Sequence, residues 1–87
     1  MADSPPPPHV DLLALRKQID EVDRDLLVLL NRRARLASEV GDVKKKEGSV
    51  AFRPEREAQV IDGMKAANPG PLMSDSVAPI WREIMSA

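Results

Sequence analysis

The stretch LLALRKQIDEVDRDLLVLLNRRARLASEVGDV, residues 12–43, decides the fold. With Leu12 as the first a position of a heptad, the a column reads Leu12, Ile19, Leu26, Arg33 and Val40, and the d column Leu15, Val22, Leu29, Leu36 and Val43. Nine of these ten positions are aliphatic, which predicts one long helix with a packed stripe. The tenth is Arg33. A guanidinium stays charged in a protein, so inside such a stripe it needs either a buried anion or a route to water.

Upstream, Asp11 is the expected N-cap. Residues 1–10 hold the run Pro5 to Pro8, which favours an extended, solvated chain and predicts a disordered tail. His9, the one histidine, falls in that tail and is read as solvated, not as a positioned base. Downstream, the pattern passes Gly41 and ends on Lys44, Lys45 and Lys46, giving a first helix over residues 11–46, about 54 Å long at 1.5 Å per residue. A loop is expected from Glu47 to Phe52. Pro54 suits the first position of a second helix, with Glu55 and Glu57 near its positive end. Ala58, Ile61 and Met64 form its expected buried stripe, with Val60 and Ala67 alongside, and Asn68, Pro69, Gly70 and Pro71 close it. Val77, Ile80, Trp81, Ile84 and Met85 mark a third helix. Ser76 is its expected N-cap, because that start leaves Pro79 in the first turn, where no N–H is needed.

The reading is all-α: three helices, one long and two short. Neither short helix can cover the stripe of the long one, so the uncovered face is expected to pair with a second copy in a closed two-fold homodimer. At 87 residues the chain is one domain, small enough that a monomeric core is marginal. Thirteen basic against fourteen acidic residues give a net charge of -1, which argues against broad electrostatic binding of nucleic acid. Without Cys there is no disulfide framework, thiolate nucleophile or sulfur metal site. No stretch has the length of a membrane span, and a cytoplasmic protein is the default expectation.

Arg33 and Lys44 are separated by almost three whole turns, so they differ by about 20° in direction and stand roughly 16 Å apart along the axis. Such a pair can bracket a small anion. Arg16 is too far away within one chain, but an antiparallel partner crossing near Val28 brings its own Arg16 opposite the gap between Arg33 and Lys44. Each cation also has a plain structural reading: Arg33 as a register device, Lys44 as a solvated helix end. Around the second helix start, Arg53 and Glu57 have the spacing of a surface ion pair, the commoner reading. The other reading makes Glu57 a hydrogen-bond acceptor and Arg56 a further cation in a pocket facing the first helix.

The residues LLALRKQIDEVDRDLLVLLNRRARLASEVGDVKKK, FRPERE and WREIMSA, in that order, resemble the all-helical chorismate mutases, above all the mutase domain that opens bifunctional chorismate mutase/prephenate dehydratases. The resemblance implies an intertwined homodimer that converts chorismate, a dicarboxylate, to prephenate by a Claisen rearrangement in phenylalanine and tyrosine biosynthesis, without metal or cofactor. It implies that Arg16 reaches the partner's site, Arg33 binds a substrate carboxylate, Lys44 hydrogen-bonds the ether oxygen, Glu57 accepts from the ring hydroxyl, and Arg56 helps complete the pocket. Arg53 stands where some relatives carry an acid or amide and is expected to shape the rim. Relatives also continue the third helix past the position of Ala87, with polar residues facing the substrate. The chain is therefore expected to be a fragment of a longer protein fused to a prephenate dehydratase domain, with weakened activity. Two alternatives remain at this stage: pyruvate elimination from isochorismate on the same scaffold, and a non-catalytic dimerisation module in which the cations only set register.

Overall fold

The computed structural model describes residues 8–48 and 54–87. Among them are three helices: α1 (Pro8–Glu47), α2 (Pro54–Ala67) and α3 (Ser74–Ser86). The chain divides into two units, one holding α1 as far as Arg33, the other running from Ala34 onward.

α1 starts three residues before the expected boundary. Residues 8–10, which composition places in the tail, are helical, and Asp11 lies in the first turn instead of capping it. The reason is local: proline at the first helical position gives up an N–H that would have had no partner and brings a φ already suited to the helix. Asp11 then still complements the positive end, and Lys44, Lys45 and Lys46 the negative one. At the far end Gly48 takes φ 71, and its N–H reaches the Lys45 carbonyl at 3.2 Å, a left-handed stop that glycine adopts without a Cβ penalty. Residues 49–53, with most of the expected loop and Arg53, lie outside the described residues.

In the first unit the seam is bare. Leu12, Leu15, Ile19, Val22, Leu26 and Leu29 are all between 46% and 58% exposed, so this part of the stripe stays largely open among the described residues.

The second unit is built on packing between α2 and α3. Ile61 and Val77 are its buried residues. Around them Val60 and Met64 of α2, and Ala78, Trp81, Ile84 and Met85 of α3, are half-buried. Ala58 and Ala67, expected on the inner face, are exposed. The stripe follows Glu57, Val60, Ile61, Met64 and Asn68, spacings of three and four that lean away from both alanines.

The connection between the two helices is tied by Asn68, whose Nδ2 donates to the Leu72 carbonyl at 2.7 Å while its Oδ1 accepts from the Gly70 N–H at 3.1 Å. Gly70 has φ 77, and the Gly70–Pro71 bond is cis. α3 is capped by Met73, not Ser76, and Pro79 stands inside the helix. The turn is instead closed by the Ser76 N–H on the Met73 carbonyl at 2.9 Å. Pro79 therefore only denies a donor to the carbonyl of Asp75, an exposed first-turn residue that water can reach. No helix among the described residues is long and apolar enough to cross a membrane.

Candidate active site

Along α1 from Asp11 to Gly48, every described residue is exposed except Arg33, Gly41 and Lys44. Two of these three are the cations that the heptad and helical spacing single out. Their half-burial differs from the ordinary state of a surface lysine or arginine, which keeps its charged head in water. Neither forms an ion pair or side-chain hydrogen bond with another described residue. Lys45 and Lys46, next in the same charge run, are exposed, so Lys44 stands apart from its neighbours.

Gly41 carries no functional group, and the sequence patterns above do not select it. A Cβ at this position would meet nothing within 4 Å in the single chain. The signal that was available is the glycine itself, kept inside a helix at a cost of about 1 kcal/mol relative to alanine.

The second helix contributes Glu57. It lies in the first turn of α2, where a carboxylate is favoured by the helix dipole. It also opens the inner stripe that continues through Val60, Ile61, Met64 and Asn68, so its side chain is half-buried. The commoner reading places it on the surface. Its described partner is Arg82 of α3, with Nε 4.0 Å from Oε1, a residue that sequence spacing gives no reason to select. Arg53, the partner expected from i,i+4 spacing, lies outside the described residues.

Arg56 and Arg16 are exposed. Arg56 stands about 100° from Glu57 around α2, off the inner stripe, and among the described residues the ion pair of Glu57 is with Arg82. Arg16 belongs to the bare seam region of the first unit. The single chain thus presents separate parts: half-buried cations on α1, a half-buried carboxylate on α2 backed by an arginine of α3, and two exposed arginines. Chemically, guanidinium groups can bind carboxylates bidentately, and a carboxylate accepts from a hydroxyl.

Comparison with known proteins points one way. The family model described as chorismate mutase type II matches residues 15–87. The bifunctional chorismate mutase/prephenate dehydratase of Pseudomonas aeruginosa is 46% identical over 81 residues, covering 87% of this chain and 22% of that protein. The protein of the same name from Neisseria gonorrhoeae is 44% identical over 75 residues, covering 86% of this chain and 20% of that one. The chain thus spans about a fifth of the length of the curated relatives it matches. Among solved structures, the chorismate mutase (form I) of Thermus thermophilus superposes with a TM-score of 0.84 at 34% identity, covering 87% of this chain and 95% of that one.

Proposed function

Because the chain belongs to the type II chorismate mutase family, we propose that it rearranges chorismate to prephenate as a homodimer whose interface is also the active site. The observation that carries this reading is the half-burial of Arg33 and Lys44 on a helix whose other described residues, Gly41 apart, are exposed from Asp11 to Gly48.

The rearrangement breaks the ether C–O bond as a new C–C bond forms within one molecule, so atoms and charge balance without a nucleophile or redox partner. Two things lower its barrier. Holding the reactive conformer removes the entropy of finding it, and a cation at the ether oxygen stabilises the negative charge that develops there. In this reading Arg33, with Arg16 of the second copy, binds the two carboxylates. Lys44 donates to the ether oxygen. Glu57 accepts from the ring hydroxyl, Arg56 adds a cation at the edge, and Arg53 shapes the rim. A cytoplasmic site of action and a place in phenylalanine and tyrosine biosynthesis go with the same reading, as does fusion to a prephenate dehydratase portion in a longer protein.

The bare seam supports the dimer. Six aliphatic side chains about half exposed along the first unit are more apolar surface than one helix leaves in water without a partner. Pairing two copies antiparallel covers it and supplies Arg16.

Proton NMR of chorismate incubated with the chain, beside a chain extended past Ala87, tests the activity. Prephenate accumulating in proportion to protein is the expected result. Pyruvate released from isochorismate, with chorismate untouched, would replace the mutase by a lyase; no turnover of either substrate by both chains would leave a dimerisation module. Mixing Arg16→Ala and Arg33→Ala chains tests the shared site. Partial recovery of activity is expected, because one of the two sites in the mixed dimer regains both arginines.

A further inference from the structure

Arg82 is drawn into the site through Glu57. The carboxylate opens the inner stripe of α2, and Arg82 lies in the last two turns of α3, so the antiparallel α2–α3 pair brings both to its open end, away from the Asn68 turn. Oε1 of Glu57 and Nε of Arg82 are 4.0 Å apart, with side chains 39% and 60% exposed. An ion pair this long and this wet adds little to stability. The carboxylate is already favoured at the positive end of α2, so its place in the helix does not depend on the pair. What the pair does is directional: it biases the carboxylate toward α3 and restricts where its oxygens point.

The geometry leaves room for a ligand. A carboxylate has about four acceptor positions on its two oxygens, and the approach of Arg82 Nε is to Oε1. Oε2 remains able to accept from a hydroxyl while the guanidinium lies beside the other oxygen.

We propose that Arg82 is a positioning residue for the mutase reaction, orienting the Glu57 carboxylate so that its free oxygen accepts the ring hydroxyl of the substrate. The proposal rests on the mutase reading above. Arg82 does not touch the substrate and acts through Glu57 alone, and α3 enters the site by this route.

The test is a double-mutant cycle on the intact chain: wild type, Arg82→Gln, Glu57→Gln and the double variant, with Arg82→Lys as the conservative control, each assayed for kcat and KM and for thermal melting. The expected result is a roughly 3- to 10-fold loss of kcat/KM in Arg82→Gln, within the range of coupling between neighbouring charged groups. Melting should be unchanged, activity mostly kept in Arg82→Lys, and no further loss should arise when Arg82→Gln is added to Glu57→Gln. A chorismate analogue lacking the ring hydroxyl should be turned over equally by wild type and Arg82→Gln, a readout that general damage to the fold would not equalise. The proposal is overturned by an Arg82→Gln chain as active as wild type, by a Glu57→Gln chain as active as wild type, by an equal loss in both backgrounds, or by a loss that tracks a lowered melting point. A wild-type chain that rearranges no chorismate sinks the mutase reading, and this inference with it; an active wild type with a silent Arg82 sinks this inference alone.

Discussion

The seam half of α1 and the α2–α3 pair carry the same kind of amphipathic pattern and meet opposite fates. In α2 and α3 the stripe is answered inside the chain, and Val77 is 2% exposed. In α1 the stripe is longer and cleaner, yet Leu26 at its centre is 50% exposed. A hydrophobic pattern states that a face will be buried; whether the same chain can bury it depends on the length of what lies opposite. Helices of 14 and 13 residues pack on each other; a helix of 40 has no counterpart of its size among the described residues.

The contrast breaks most sharply at Leu26. Leu26→Asp places a charge at the centre of the seam, and if two α1 helices pair there, the two-fold repeats the penalty. The expected loss is upwards of about 4 kcal/mol, read by sedimentation as monomers and by circular dichroism as loss of the cooperative melt. A variant that stays dimeric would move the interface elsewhere. Next in size is Lys44→Met, which removes the charge and keeps the stem. A fall in kcat of about 10²- to 10³-fold is expected, with thermal stability equal or higher. The same melt with unaltered turnover would leave Lys44 a solvated helix end.

Val77→Ala probes the covered half. It should cost about 1–3 kcal/mol by lost burial and the cavity left behind, and its melting shift should be insensitive to protein concentration, unlike that of a seam variant such as Leu26→Ala. A smaller effect is expected at Gly41. In the single chain a methyl group there meets nothing within 4 Å, so Gly41→Ala should stabilise by up to about 1 kcal/mol through helix propensity. Loss of stability instead would show a second backbone packed against that face.

Much of the fold is legible because helices advertise themselves locally. The spacing of Leu12 to Val43, the prolines at 54 and 71 and the asparagine and glycines between helices each act within a few residues. The errors fall where two local rules compete. Pro8 reads as the end of a solvated run, and it also suits a helix start; Ser76 spares Pro79 a lost hydrogen bond, while the closure at Met73 sets the start earlier. Glu57 shows the other kind of limit. In sequence it has an i,i+4 neighbour in Arg53 and a surface reading to match. Its half-burial and its approach to Arg82 come from the packing of α2 on α3, which no local spacing encodes.

The sequence by itself determined that this chain is helical, that one helix outruns the rest, and that Arg33 and Lys44 are set on nearly one face of it, because each of these follows from periodicity along the chain. Tertiary structure alone decided which charges leave the solvent and which side chains answer them. The half-burial of Glu57 and the arginine behind it depend on how α2 and α3 are brought together, and that is set by the fit of their faces.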